Sequence, residues 1–154
     1  LITAYHKSGV SETLVLVGDA DHPSDYSMQL KQLAIKTPNV ILTGFLKGDA
    51  LKAVFSQAKL FIMPSYHEGL PIALLEAMSY SLPAVVSDIP ANLEVGLPAE
   101  AYFKVGNVAD LAEKIKARVV LNSIDYSDLL RNYNWLEIAR KTVNVYHSIN
   151  KSIG

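Results

Sequence analysis

Residues 60–78 read LFIMPSYHEGLPIALLEAM and contain the patterns of a strand, a turn and a helix in succession. The apolar run at residues 60–63 is typical of a buried strand, and Pro64 ends it because proline cannot donate a hydrogen bond to a sheet. Pro71 suits the first turn of a helix, which we predict over residues 71–80. This stretch therefore predicts one βα unit, with its turn at the carboxyl end of the strand.

The same alternation of short apolar runs and helical patterns extends in both directions from this unit. Further strands are predicted at residues 14–17, 40–42, 84–86 and 101–103. Helices are predicted at residues 26–35, 49–58, 108–121, 126–132 and 135–149, and residues 1–8 resemble the end of a helix. Strands that are apolar throughout and separated by helices form parallel sheets covered on both faces. We therefore expect an α/β domain with a doubly wound, Rossmann-like parallel sheet.

The composition limits the classes of function. A chain of 154 residues, half of them hydrophobic, is expected to fold as one well-cored domain. Its net charge of −1 argues against a nucleic-acid partner, which requires a large cationic surface. Cysteine is absent, which excludes disulfides and thiolate chemistry. No apolar run approaches the ~20 residues that would cross a bilayer, so we predict no transmembrane segment.

Two carboxylates, Glu68 and Glu76, lie eight positions apart around the turn and the helix. Ligands of parallel α/β domains bind beyond the carboxyl ends of strands, and Glu68 falls in such a turn. Glu76 lies within an apolar helical run, where an unpaired carboxylate is costly. It is therefore either a helix residue that snorkels or forms a salt bridge, or a ligand acceptor at the rim of a cleft.

A series of short motifs occurs along the chain in an order that is known from one enzyme family. The motifs are LVLVGD (14–19), VILTG (40–44), PSYHEG (64–69), LEAM (75–78), LPAVVSD (82–88), EV (94–95) and YNW (133–135). With them the chain resembles the carboxyl-terminal, donor-binding half of a GT-B-fold glycosyltransferase, most like glycosyltransferase family 4 (glycosyl transferases group 1). The Glu-x7-Glu spacing alone would be a weak signal, but Pro-Ser before it and Glu-Ala-Met at its end make it specific.

The resemblance implies a retaining glycosyltransferase that binds a nucleotide-diphosphate sugar and transfers the sugar to a glycan or lipid-linked acceptor. Polysaccharide or glycoconjugate synthesis is the implied setting, in the cytoplasm, with peripheral membrane association of the full-length protein left open. By analogy Glu68 is the catalytic candidate, because it would reach the sugar and support its developing positive charge. Neither a metal nor another cofactor is expected.

The donor-binding candidates follow from the same resemblance and from the chemistry of the donor. They are Glu76, Gly69, Leu70, Pro71, Ile72, Gly18, Asp19, Phe45 and Leu46. Glu76 suits the ribose, because a carboxylate accepts hydrogen bonds from two neighbouring hydroxyls. Backbone N–H groups at residues 70–72, at a helix start, suit the diphosphate. The segment at Phe45 and Leu46 would contact the base, whereas Asp19 is a weaker candidate that could merely finish a turn.

The sequence departs from the family pattern at three places. Residues 18–20 read GDA, where the family usually has Gly-x-Gly after the first strand. Ser81 stands where the family usually has glycine, and costs on the order of 1 kcal/mol if the backbone there is left-handed. The family's opening strand and its Arg/Lys loop would precede Leu1. We therefore expect residues 1–154 to be an N-terminally truncated donor-binding domain without its acceptor-binding domain. The strands at 14–17 and 60–63 would then face a gap of one strand, about 10 Å between them.

The sequence is also compatible with two other functions. A nucleotide-sugar epimerase of the same fold is one alternative, and a non-catalytic GT-B-like binding subunit is another. His67 is interpreted as a polar loop residue, and Trp135 as an anchor of the last helix in the core.

Overall fold

The computed structural model describes residues 1–151, and the side chains of residues 1–149. Its helices are α1 (Ile2–Ser8), α2 (Asp25–Lys36), α3 (Gly48–Gln57), α4 (Ile72–Ser79), α5 (Pro90–Leu93), α6 (Val108–Arg118), α7 (Ser127–Leu130) and α8 (Trp135–Lys151). Its strands are β1 (Leu14–Val17), β2 (Val40–Gly44), β3 (Phe61–Met63), β4 (Ala84–Ser87) and β5 (Tyr102–Phe103). Short 3₁₀ turns occupy Ala99–Ala101 and Arg131–Tyr133. The predicted α/β alternation is confirmed.

The strands form two parallel sheets. In the first sheet β1 pairs with β2, with Leu14 opposite Val40. In the second sheet the order is β3-β4-β5, with Phe61 opposite Ala84 and β5 paired to the end of β4. Parallel pairing throughout agrees with the all-apolar strands and the helical connections between them.

Strands β1 and β3 do not pair with each other, and a groove lies between the two sheets. A cavity of about 770 Å³ lies there, lined by all of β1 on one side and by Phe61 and Ile62 of β3 on the other. A smaller cavity of about 540 Å³ reaches Thr13 and Lys59, just before the two strands. We call this space the β1–β3 groove. Direct pairing of these two strands is therefore excluded, while a separation of about 10 Å between them stays a prediction.

Helix α1 joins the two halves of the molecule. Its Ile2 and Tyr5 belong to the apolar cluster of β1 and α2, while Ala4 belongs to the cluster of β4, β5 and α6. Strand β4 is the most deeply buried element, since all four of its residues are inaccessible to solvent. Residues at its carboxyl end are therefore fixed in position.

The turn after α4 has a left-handed backbone at Ser81, which is the conformation expected to carry a cost for serine. Ser81 has φ +58°, in the left-handed region that glycine usually occupies. Its N–H donates to the carbonyl of Met78, and the N–H of Leu82 donates to Ala77 (2.9 and 3.2 Å), which closes the helix. The expected cost of about 1 kcal/mol therefore applies.

Helix α8 lies on the outside of the molecule. Every side chain of residues 135–149 is exposed, and Trp135 is 71% exposed. The prediction that Trp135 anchors this helix in the core is therefore wrong. The helix predicted over residues 135–149 is confirmed, but the presence of a helix does not say against which surface it packs. No described helix has the length and apolar content needed to cross a bilayer.

Candidate active site

The turns that follow the carboxyl ends of the strands carry the predicted site residues. Gly18 follows β1, Phe45 follows β2, and residues 64–71 connect β3 to α4. The β1–β3 groove also reaches Pro64, Ser65 and Tyr66, so the groove and this loop are continuous. We call this edge of the molecule the carboxyl-edge site.

Glu68, the catalytic candidate, is half-buried in the loop between β3 and α4. The hydroxyl of Ser65 donates a hydrogen bond of 2.7 Å to its Oε1. Ser65 is itself tied to the core, because the hydroxyl of Ser87 donates to its carbonyl oxygen at 2.6 Å. The loop residues Tyr66 and His67 are exposed, as expected for His67. The carboxylate is therefore held by a hydrogen bond in a loop that is otherwise open to solvent.

Glu76 lies in the second turn of α4 and is half-buried. Its position four residues after Ile72 places both on one face of the helix, away from the fully buried Leu74 and Met78. Its carboxylate has no hydrogen bond and no salt bridge to any side chain that the structure describes. The salt-bridged interpretation thus finds no partner within residues 1–149, whereas the snorkelling and ligand interpretations both stay predictions.

The start of α4 presents fewer open N–H groups than its sequence suggested. Pro71 is fully buried and has no N–H, while the N–H of Ile72 donates to the carbonyl of Leu70 at 2.8 Å. In the described part of the chain the N–H groups of Gly69, Leu70 and Ala73 have no acceptor. A Cβ added at Gly69 would meet nothing within 4 Å, so the space beside Gly69 is open.

The ends of β1 and β2 form a second part of the site. The N–H of Gly18 donates to the carbonyl of Gly44 at 2.8 Å, and both glycines have positive φ (116° and 67°). Phe45 follows and is 66% exposed, while Leu46 is half-buried. An exposed aromatic ring beside a strand end offers a flat apolar face to a ligand.

Asp19 is engaged within the protein. Its carboxylate lies 2.8 Å from Nζ of Lys31 and also accepts a hydrogen bond from the N–H of Ala20. The hydrogen bond from Lys31, followed by that from Ala20, lowers the pKa of Asp19. These contacts agree with a turn-forming role, and its donor-binding role remains a prediction.

Asp88 fixes the neighbouring loop. Its carboxylate accepts hydrogen bonds from the N–H of Val105 at 2.8 Å and from Nζ of Lys104 at 3.1 Å. The bond from Val105 is the main reason that the pKa of Asp88 is lowered. No group of three or more His, Asp or Glu side chains is arranged to hold a metal within the part of the chain that the structure describes.

Sequence reasoning missed Ser65 and Ser87 as residues of this site. They are 22 positions apart, and their hydrogen bond depends on the register between β3 and β4, in which Met63 lies opposite Val86. The Pro-Ser motif before Glu68 contained Ser65, so the motif could have indicated it. The LPAVVSD motif (82–88) contained Ser87, but nothing in the local sequence indicated its hydrogen bond to Ser65.

Comparison with known proteins places the chain in a family. The profile of the family described as "Glycosyl transferases group 1" matches residues 2–119. The uncharacterized glycosyltransferase MJ1607 of Methanocaldococcus jannaschii is 32% identical over 146 residues, which are 86% of this chain and 36% of that protein. The processive diacylglycerol alpha-glucosyltransferase of Acholeplasma laidlawii is 37% identical over 102 residues, 66% of this chain and 30% of that protein. This chain thus spans about a third of the length of these relatives.

Solved structures show the same fold. The catalytic domain of cholesterol-alpha-glucosyltransferase from Helicobacter pylori has a TM-score of 0.64 and 24% identity, over 94% of this chain and 87% of that one. Sucrose-phosphate synthase from Thermosynechococcus elongatus has a TM-score of 0.69 and 18% identity, over 98% of this chain and 42% of that one. The family profile covers most of the chain and the motifs around Glu68 and Glu76 lie inside the match, so this protein belongs to the group 1 glycosyltransferases and has the GT-B fold.

Proposed function

We propose that residues 1–154 form the donor-binding domain of a retaining glycosyltransferase that uses a nucleotide-diphosphate sugar. The observation that carries this proposal is the carboxylate of Glu76, half-buried and without a partner among the described residues, on the helix whose Ala73 N–H has no acceptor in the described structure. A half-buried carboxylate without a protein partner gains most from a ligand that donates hydrogen bonds.

Each part of the donor has a counterpart in the site. The open N–H groups of Leu70 and Ala73 suit the diphosphate, since a helix start attracts anions. Glu76 suits the ribose diol, and Phe45 suits the base. Glu68 would lie against the sugar, where its negative charge stabilises positive charge that develops as the bond to phosphate breaks. In a retaining reaction the acceptor arrives on the face from which the diphosphate leaves.

The proposal extends to a longer protein. The chain spans about a third of its relatives, and the β1–β3 groove has the two facing, unpaired strand edges that one further parallel strand would fill. We propose that an additional segment supplies this strand and that an acceptor-binding domain lies elsewhere in the same protein. Residues 1–154 alone would then bind donor weakly and transfer no sugar.

The acceptor class is proposed from the relatives' names. They include a diacylglycerol glucosyltransferase and an O-antigen chain mannosyltransferase of Escherichia coli. The first name gives diacylglycerol as the acceptor, and the second gives an O-antigen chain. We therefore propose a lipid-linked or glycan acceptor in polysaccharide or glycoconjugate synthesis.

Calorimetry of the full-length enzyme with nucleoside diphosphates tests the proposal. Glu76→Ala should weaken binding by about 1–3 kcal/mol, which is about 5- to 150-fold in Kd, because a hydrogen bond to a charged group is lost. The control is Glu113→Ala, which removes an exposed carboxylate from α6 and should leave the Kd unchanged. Equal affinities of the two variants would refute the ribose assignment. Epimerisation of the nucleotide sugar without transfer would favour an epimerase instead, and binding without either reaction would favour a non-catalytic subunit.

A further inference from the structure

We propose that Ser87 and Asn92 are positioning residues for Glu68 and act on it through Ser65. This inference rests on the proposed catalytic role of Glu68. It concerns a chain of hydrogen bonds that begins in the buried core and ends on the Glu68 carboxylate.

The chain begins at Asn92, whose side chain is inaccessible to solvent on the short helix α5. Its Nδ2 donates to the carbonyl oxygen of Ser87 at 2.9 Å and to the hydroxyl oxygen of Ser87 at 3.2 Å. Because the hydroxyl oxygen of Ser87 accepts from Asn92, its single hydrogen is left for another acceptor. That acceptor is the carbonyl of Ser65, at 2.6 Å. Asn92 therefore sets the direction in which Ser87 donates.

The second half of the chain reaches the active carboxylate. The carbonyl of Ser65 is held by Ser87, and its hydroxyl donates to Oε1 of Glu68 at 2.7 Å. Ser65 is the one hydrogen-bond partner of the Glu68 side chain among the residues that the structure describes. The position of Glu68 thus depends on Ser65, and that of Ser65 on Ser87.

Helix α5 is too short to hold Asn92 by itself, and a second contact fixes it. The hydroxyl of Tyr102, on β5, donates to the carbonyl of Asn92 at 3.1 Å and accepts from the N–H of Leu97 at 2.9 Å. The starting point of the chain is therefore anchored to the sheet. Hydrogen bonds thus connect α5, the end of β4 and the loop after β3 at the carboxyl-edge site.

Stability alone does not account for an asparagine at position 92. Its Oδ1 is buried and has no partner in the described structure. A buried acceptor without a partner destabilises the folded state. The donors of the same amide are both used toward Ser87, which is the contact that the proposed positioning requires.

The test measures kcat, donor Kd and thermal stability in the full-length enzyme. Ser87→Ala should lower kcat by about 10- to 100-fold, since a displacement of a catalytic group by about 1 Å costs rate on this scale. Donor Kd should change less than about twofold, because neither Glu76 nor the helix start is altered. The control is Ser56→Ala on α3, which also removes a serine hydroxyl bonded to a backbone carbonyl (Ala53, 3.0 Å), but from an exposed position.

A double variant separates positioning from a general loss of structure. If Ser87 acts through Glu68, then Ser87→Ala in a Glu68→Gln background should cause no further loss of kcat. At Ser65, which donates directly to Glu68, Ser65→Ala should lower kcat. Ser65→Thr keeps the hydroxyl and should have a kcat close to that of the unchanged enzyme. If Ser87→Ala fails to fold, Ser87→Cys replaces it, because the thiol keeps the shape but donates weakly.

The outcomes distinguish this inference from the proposed function. If Glu68→Gln lowers kcat while Ser87→Ala, or Ser87→Cys in its place, leaves kcat within twofold, the positioning inference alone is overturned. The positioning inference is also overturned if the kcat of the double variant falls by the product of the two single-variant losses. If Glu68→Gln leaves kcat unchanged, the catalytic role of Glu68 fails and the positioning role fails with it.

Discussion

Replacing Ser81 by glycine should stabilise the domain, although it removes a side chain. Ser81 has φ +58°, which costs an L-residue about 1–2 kcal/mol, and glycine in its place costs about 0.5–1 kcal/mol in unfolded-state entropy. The difference is a gain of up to about 1.5 kcal/mol. For a chain of this size that corresponds to a rise in Tm of up to about 6 °C.

The backbone contacts at this turn do not depend on the serine side chain. The N–H of Ser81 donates to Met78, and its carbonyl accepts from the N–H of Ile124 at 2.9 Å. Glycine retains both bonds. Ser79→Gly is a matched control, because Ser79 is two residues earlier and lies inside α4 with helical geometry. It should lower the free energy of unfolding by about 0.5–1 kcal/mol.

Thermal unfolding by circular dichroism, with denaturant unfolding as a second measurement, gives both values. The expected result is opposite signs for Ser81→Gly and Ser79→Gly. A loss of stability in both variants would refute the reasoning, because it would mean that the strain at position 81 is smaller than the entropy of glycine.

Three further predictions concern the site, the groove and the loop beside the site. Glu68→Gln should lower kcat more than it weakens donor binding, because its role strengthens as charge develops; a change confined to donor Kd would make Glu68 an ordinary binding residue. Joining an apolar five-residue strand segment ahead of Leu1 should raise the Tm and reduce the binding of an apolar dye to the β1–β3 groove. The same segment with a central proline is the control and should change neither the Tm nor the dye binding. Equal effects of the two segments would argue against strand pairing. The pKa of Asp88 is lowered in the folded state, chiefly by its hydrogen bond from Val105. This bond therefore stabilises the folded state fully at pH values above the unfolded-state pKa of about 3.9. The stabilisation is lost as the pH falls through the lower folded-state pKa. An NMR titration should show the N–H of Val105 responding over that lower range, and a response centred at the ordinary value would contradict the assignment.

The strands and their order could be predicted because local chemistry marks them. Pro64 after the apolar run and Gly44 mark the ends of β3 and β2 to within a residue or two of where the structure places them. The conformation at Ser81 could also be predicted, since the family's glycine at that position signals positive φ. Such features depend on neighbours in sequence.

The hydrogen bonds of the site could not be predicted in the same way. The Ser87–Ser65 bond depends on the register of two strands, and the bond from Ile72 to Leu70 removes an N–H that the helix start was expected to offer. The prediction that Trp135 is buried failed for a related reason, because the identity of a residue in a helix does not show which surface, if any, it packs against. The partner surface is a property of the tertiary structure.

The division of the sheet by the β1–β3 groove predicts how the domain opens. In a parallel strand successive N–H groups point to opposite sides, and Leu14 and Gly18 donate away from the groove. The amides of Val15, Val17 and Ile62 therefore face the groove, and they should exchange with solvent faster than those of β4. Since each half-sheet has its own apolar cluster and α1 contributes to both, local opening of α1 would separate the domain into two cooperative units.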